Sequence, residues 1–542
     1  MADRAASRFP QSGGWLLVFA AAAAVVVYPL FELARELVTV GRSSIADTFA
    51  AGGVWVPIFH TLWTSVVATA VTLTLATAVA LATASFSPRK RILVVVGMTL
   101  PFLIPPFVSA MSWVAAYGPG GLLDDAFGLS LPGLIGSAGV VTLLVVNATP
   151  LAYLIVLSSL DARTERDLVR AARVSGATPW EALRTVTLPM LRPALIAAGA
   201  ISFIMSANSF GVPAVLGTPA GFGTVTTRIY QDLVLSADPA AFDRVLVLAA
   251  FLAAATIVVI GTADVHSRGR IRLRVEPSGP RRGSSGGTRW SARLITAYVM
   301  ATGLLPFVAL VLMSITRGVG LSPVPTNWTL GNFEEVLDSG AVGAFGTSLM
   351  LAVTAATITL GLGSLLVVLE RRRRSGVGTA AALSFAVPGS VLAIAVLLAY
   401  GSVLRDTVLI ILIAYIAKFW ALAHRPVSGS ADAVSPEVFG AARLCGATPA
   451  TAARTIVIPL LRSALVTGWL IVFVFALHEL TMSSLLHGPG NETLAVSVLN
   501  LQQLGEPTVT SALAVLLTVG AALAAIPLLL LRRAPVDAGR AQ

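Results

Sequence analysis

Ionisable side chains are scarce within the apolar runs of this 542-residue chain, so the few that occur limit the chemistry it could do. His478 and Glu479 stand side by side in LHELTMSS, where a carboxylate in an apolar run suits attraction of a cation or pairing between helices. An internal alignment sets Asn208 and Ser209, in SANSFGVP, at the corresponding place of an earlier run. Asn208, Ser209, His478 and Glu479 are therefore the candidates for a translocation pathway. The competing reading is a hydrogen bond that only steadies a helix bundle. Lys418, in IAKFW, is placed to snorkel towards the cytosolic face. His60, His424 and His487 lack metal-ligand spacing, so no metal site is expected. A P-loop needs the lysine of GxxxxGK[ST], and the only two lysines, Lys90 and Lys418, lie in SPRKRI and IAKFW. The spans offer no clustered acid, base or nucleophile, so no catalytic residue and no bound cofactor are expected.

The elements that must position these residues are membrane helices. The chain is 56% hydrophobic and 12% charged, with a mean hydropathy of +0.85, whereas soluble domains carry about 25% charged residues. Apolar runs fall at 14–34, 58–84, 92–116, 134–158, 194–216, 245–265, 294–315, 344–369, 378–400, 407–424, 464–486 and 509–531. Their length suits a helix crossing the bilayer, and they lack the alternation of barrel strands. The expected fold is thus an all-α polytopic membrane protein of about twelve spans. Cys445 is the single cysteine and excludes an internal disulfide. The run after Arg4 and Arg8 is too long for a signal-peptide core and reads as a retained first span.

Of the 37 Lys and Arg residues, 30 fall on one side of these spans and six on the other, with Lys418 inside a span. The positive-inside bias then puts both termini in the cytosol. The net charge of +11 follows this topology and gives no reason to expect nucleic acid. Residues 266–293, rich in Arg, Gly, Ser and Pro, read as a basic cytosolic linker. A strip lying on anionic membrane lipid is compatible with that. The linker separates a first half, 1–265, from a second, 294–542.

The halves repeat one another. Asp167–Ala194 and Glu437–Ala464, at an offset of 270, share 14 of 28 residues. Phe59-x-Thr61 matches Phe345-x-Thr347, Tyr117-Gly118 matches Tyr400-Gly401, and LGTPAG lies opposite LHGPGN. Six spans per half keep the two repeats parallel, related about the membrane normal. Within Asp167–Ala194, the alanine-rich start favours helix and Gly176 supplies a left-handed stop. Thr178 then serves as N-cap, with Pro179 at the first helical position and Glu181 closing a capping box. The second helix should stop near Leu188, before Pro189. The other copy keeps Gly446, Thr448 and Pro449 but has Thr451 in place of Glu181, with Ser435-Pro436-Glu437 opening its first helix. Each copy is a helix–turn–helix elbow on the cytosolic side. Ala172 and Gly176 also fit a DNA-binding helix-turn-helix, but a recognition helix must be free to enter a groove, and here both ends are tied to spans.

This stretch resembles the EAA loop of binding-protein-dependent ABC importer permeases. The pattern is carried by Ala171-Ala172, Gly176, Val186 and Leu188-Pro189, and again by Ala441-Ala442, Gly446, Ile456 and Ile458-Pro459. Arg170 and Gly440 stand where the family has its glutamate. The resemblance implies a type I ABC importer permease fold in which Ala171, Ala172, Gly176, Thr178, Pro179 and Pro189, with Ala441, Ala442, Gly446, Thr448, Pro449 and Pro459, couple transport to ATP. It implies two copies of an ATP-binding cassette ATPase subunit that use ATP and Mg, and a periplasmic or lipid-anchored substrate-binding protein. It also implies residence in the bacterial cytoplasmic membrane. NSFGVPAVLGTPAG and HELTMSSLLHGPGNETLAVSV look most like the iron(III) branch, with thiamine, polyamine and phosphonate permeases as alternatives. A secondary transporter of two parallel halves is the reading from another class. Such carriers have a G-x-x-x-D-R loop between spans two and three, where this chain has SFSPRKR.

Overall fold

The computed structural model describes residues 23–50, 53–160, 163–267, 289–373, 387–432, 434 and 436–531. Ser435 and most of the expected linker (268–288) lie outside the described residues. Apart from an isolated bridge between Thr316 and Trp328, the regular structure described is helical. Among the described helices, in chain order, are α1 (Tyr28–Ala50), α2 (Trp55–Ala84), α3 (Pro88–Thr99), α4 (Pro106–Tyr117), α5 (Ser137–Leu160) and α6 (Arg163–Val174). There follow α7 (Pro179–Ala207), α8 (Val225–Tyr230), α9 (Ala241–Ser267), α10 (Arg289–Ser314), α11 (Ala341–Arg373) and α12 (Gly389–Leu404). The last are α13 (Val408–Asp432), α14 (Pro436–Leu444), α15 (Ile458–Leu477), α16 (Thr481–Leu486), α17 (Leu494–Leu504) and α18 (Pro507–Leu531).

Nine helices among the described residues are long and apolar enough to cross a membrane, and ten if a bent pair is one span. Each of the nine falls on one of the twelve expected runs. The run at 14–34 is described only from residue 23 and that at 378–400 only from residue 387. The run at 92–116 is not one straight helix, because α3 and α4 are bent by 97°. Pro101, Pro105 and Pro106 sit at the bend, where three missing amide protons and their rings forbid a continuous α-helix.

Prolines elsewhere are absorbed rather than obeyed. The chain does not stop before Pro189: Leu183–Thr187 forms a π-turn, Leu188 N–H donates to the Leu183 carbonyl, and α7 continues through the proline. The wider i→i−5 turn shifts the carbonyl that the ring would strike in an α-helix. The same spacing recurs at Ala23–Val27 before Pro29, Met300–Leu304 before Pro306 and Ala453–Val457 before Pro459.

Packing divides the chain into two compact units. The larger contains Ala46–Ala341 and Val498–Gly520. Within it, α2 turns a face of Thr61, Thr64, Ser65, Ala68, Thr72 and Ala76 inward, all buried. Small side chains at this spacing let α2, α5 and α7 pack with backbones close together. The helix α10, which opens the second sequence repeat, lies in this unit against α4. Trp113 Nε1–H donates to the Thr302 carbonyl at 3.3 Å, and the Tyr117 hydroxyl donates to that of Ala301. Ala301 needs this bond. Leu305 N–H goes to Met300, and Pro306, the next donor in line, has no N–H.

The smaller unit holds the described residues of Met1–Ile45, Val342–Ser497 and Ala521–Gln542. Here the pattern returns with the repeats exchanged. The Tyr400 hydroxyl donates to the Ala24 carbonyl at 2.8 Å, and Ala24 lies five residues before Pro29 as Ala301 does before Pro306. Tyr28 packs edge-on against Tyr400 at 5.7 Å. Each opening helix is therefore held by a tyrosine from the other repeat. Deeper in this unit, α13 is pinched between two glycines: a Cβ on Gly363 would lie 3.0 Å from the His424 nitrogen, and one on Gly468 would lie 3.2 Å from the Ala423 carbonyl.

Candidate functional site

The first elbow lies in the larger unit. Ala171 and Ala172 accept the hydrogen bonds that close α6: Ser175 N–H reaches the Ala171 carbonyl at 3.0 Å and Ala177 N–H reaches that of Ala172 at 3.0 Å. The second bond spans six residues and requires a left-handed residue in the turn; Gly176 supplies it at φ +93°. Thr178 Oγ1 then accepts from Glu181 N–H at 3.2 Å while Glu181 Oε2 accepts from Thr178 N–H at 2.8 Å, with Pro179 at the first helical position. That is the expected capping box. Ala182 and Thr187 are buried, so this face seats the elbow. Val174 and Trp180 point away, 90% and 66% exposed.

The second elbow, in the smaller unit, repeats the turn. Cys445 N–H and Ala447 N–H bond to the carbonyls of Ala441 and Ala442 at 3.1 and 3.0 Å, and Gly446 stands at φ +77°. Thr448 Oγ1 accepts from Thr451 N–H at 3.2 Å, and the two threonine hydroxyls bond at 2.8 Å. Thr451 has no carboxylate to return the bond as Glu181 does. Pro449 opens the helical turn Pro449–Ala452, and Pro459 follows the π-turn as Pro189 does. Leu444, at the position of Val174, is 92% exposed. Each elbow thus ends its first helix on an apolar side chain held in the open.

The four candidate pathway residues sit where the helix of an expected run breaks. The expected run at 194–216 ends as helix at Ala207, and that at 464–486 ends at Leu477. In both copies the polar pair occupies the break, about 30 Å of helix from the elbow. A short helical piece follows, then a left-handed glycine (Gly221 or Gly490), then α8 or α17. The first N–H of that last helix is received by a hydroxyl of an earlier span: Val225 by Thr61 Oγ1 and Leu494 by Ser348 Oγ, each at 2.8 Å. Thr61 was visible in the internal match, but its use as a cap was not.

What fills the break differs between copies. Asn208 caps α7 through its backbone, and among the described residues its buried amide oxygen has no hydrogen-bond partner. The Ser209 carbonyl accepts from Thr226 at 2.7 Å. In the second copy His478 ends α15, and the Glu479 carboxylate caps α16. Its oxygens accept from Met482 N–H at 2.9 and 3.0 Å, from Ser483 N–H at 3.1 Å and from the Ser483 hydroxyl at 3.1 Å. Tyr415 lies 2.7 Å from the same hydroxyl, completing a Tyr415–Ser483–Glu479 chain. Lys418 interacts electrostatically with Glu479, and its ammonium donates to the Val387 carbonyl, so it is held inside the unit rather than extended to the aqueous face. Lys418 is the eleventh residue of α13, and the eleventh of α5 is the uncharged Asn147.

The first copy has its charges elsewhere. Asp232, its side chain 3% exposed, accepts from Arg228 Nε at 2.9 Å and from Arg244 Nη2 at 2.9 Å. Arg244 also reaches Asp238 at 2.7 Å, and that hydrogen bond holds the Asp238 carboxyl below its ordinary pKa. These bonds clamp the segment after α8 to the start of α9. Among the described residues, no group of three or more His, Cys, Asp and Glu side chains could hold a metal ion.

The family described as "Binding-protein-dependent transport system inner membrane component" matches this chain twice, over residues 73–268 and 360–534. A probable ABC transporter permease protein, y4fN of Sinorhizobium fredii, is 23% identical over 82% of this chain and 81% of its own length. The Fe(3+)-transport system permease protein FbpB 2 of Haemophilus influenzae is 25% identical over 74% of this chain and 75% of its own length. A putative 2-aminoethylphosphonate transport system permease protein, PhnU of Salmonella typhi, is 28% identical over 25% of this chain and 48% of its own. The two family matches cover more than half of the chain, and each contains one elbow and the helix break that follows it. The chain therefore belongs to the binding-protein-dependent transport system inner membrane components, as a multi-pass permease with both halves fused in one polypeptide.

Proposed function

We propose that this permease imports iron(III), delivered by a periplasmic or lipid-anchored binding protein, into the cytosol by alternating access. Its halves are 1–265 and 294–542, joined by the basic stretch 266–293, whose two ends belong to α9 and α10, with both termini in the cytosol of a bacterium. Two copies of a separate ATPase subunit bind ATP and Mg and close on the elbows; this chain supplies no ATP site and no catalytic group. The observation that carries this reading is the pair of elbows, each a rigid glycine turn presenting an exposed apolar tip, Val174 or Leu444. A tip of this kind can fill a cleft on a partner and transmit a push only if the turn behind it does not bend. The Ala, Gly, Thr and Pro positions singled out in both copies form that turn and its junction with the span.

Iron as cargo is supported by likeness to the Haemophilus iron permease over three-quarters of both chains. The shorter match to the Salmonella phosphonate permease supports a phosphonate as the second reading. Asn208, Ser209, His478 and Glu479 line the route at the breaks of α7 and α15, with Glu479 exchanging its helix-cap bonds as cargo passes.

The test is uptake of radiolabelled iron(III) and of an aminoethylphosphonate by cells expressing the permease with its ATPase and binding protein. Iron uptake should stop when ATP is removed while the proton gradient persists. Uptake that continues under those conditions sinks the importer reading, and phosphonate uptake without iron uptake replaces the cargo. A Glu479→Gln variant with unchanged rate and affinity leaves Glu479 a structural cap only.

A further inference from the structure

A groove of about 590 Å³ opens on the larger unit between α2, α7 and α9. Its walls are apolar, among them Leu73, Phe203 and Val259, with Arg192 at its elbow end. From Arg192 to Phe203 the groove follows three turns of α7, about 16 Å of helix. That is roughly half the hydrocarbon thickness of a bilayer, the depth of one leaflet. The floor is open because residue 199 is glycine; a Cβ there would already lie 3.2 Å from Leu73 Cδ1.

The second repeat has a bulky side chain at the same position. At the offset of 270, Gly199 corresponds to Trp469 and Phe203 to Phe473. Trp469 stacks on Phe473 at 5.2 Å and 11°, and its Nε1–H donates to Thr357 Oγ1 at 3.1 Å. The indole therefore rests on Phe473 of α15 and reaches α11 through Thr357, at the position where the first repeat has only a hydrogen. Arg192 has a counterpart too, Arg462, but there Trp469 stands in place of the glycine.

We propose that the groove at Gly199 is a phospholipid site, in which one acyl chain lies along α7 and an anionic headgroup of the elbow-side leaflet meets Arg192. The length fits one chain in one leaflet, the walls suit hydrocarbon, and the exposed guanidinium at the mouth favours an anionic over a zwitterionic headgroup. This site stands whether the cargo is iron or a phosphonate.

The experiment is native mass spectrometry of the full chain from micelles containing equal phosphatidylglycerol and phosphatidylcholine. The wild type should keep one lipid, with phosphatidylglycerol favoured about fivefold, the effect of one basic residue at an anionic surface. Gly199→Trp should lose that lipid several-fold. Arg192→Gln should keep a lipid but lose the preference, while Arg462→Gln should match the wild type. Should Gly199→Trp aggregate, Val259→Trp fills the groove from the opposite wall and carries the same expectation. A wild type that keeps no lipid, a filled groove that keeps as much as the wild type, or equal effects of the two arginine substitutions would overturn the site.

Discussion

The two elbows share their turn and differ in how it is locked. Both have a glycine at positive φ, both close the first helix on the same pair of alanine carbonyls, and both absorb a proline in a π-turn. Only the first has the reciprocal bond between Thr178 and Glu181. The units they belong to diverge further. The larger ties the segment after α8 with the Asp232 ion cluster and has a groove at Gly199, whereas the smaller places Glu479 at its helix break, within the field of Lys418, and has Trp469 at the position of that glycine. Duplication has kept the backbone features that no side chain can replace. It has let the copies drift where several side chains can meet the same need.

The largest expected effect tests what is common. Gly176→Val or Gly446→Val forces a β-branched residue into a left-handed turn, and each change should lower transport at least tenfold while the ATPase stays active. Transport and ATPase rates measured together decide it. If only one glycine matters, the elbows are not equivalent levers.

An intermediate effect tests what is private to the first copy. Asp232→Ala leaves two arginines around a vacated buried site and should cost about 3 kcal/mol. At the corresponding eighth residue from the start of α17, Leu501→Ala removes only half-buried hydrocarbon and should cost about 1 kcal/mol. Thermal unfolding of both variants compares them, and equal losses would deny that the two copies are fastened differently.

The smallest effect sharpens the contrast between caps. Exchanging the residues by Glu181→Thr and Thr451→Glu should shift the thermal midpoint in opposite directions, each by at most about 3 °C. Shifts of the same sign would mean that the glutamate acts through something other than its cap.

Much of this was legible in advance because it rests on local rules. Gly176, Thr178 and Glu181 act within six residues of one another, so their geometry followed from residue type alone. The span at 92–116 was misread because its three prolines bend it, and the stop at Leu188 was misread for the opposite reason. A proline forbids an α-turn, but a preceding π-turn lets the helix pass, and nothing at Leu188 announces which will occur. The breaks at Asn208 and His478 were hidden inside apolar runs because hydropathy records the cost of leaving water and not the continuity of a helix. The matched tyrosines, Tyr117 and Tyr400, were visible, yet their partners lie 184 and 376 residues away.

By itself, the sequence determined the all-helical class, the duplication and the shape of each elbow. Burial of long apolar runs, glycine conformation and proximal capping need no distant partner. Tertiary structure alone decided that each opening helix is held by the other repeat, that Lys418 turns inward to Glu479, and that a groove opens at Gly199 while Trp469 bonds across to Thr357. Those outcomes depend on which carbonyl is left without a donor and which surfaces come within contact distance, and both are properties of packing.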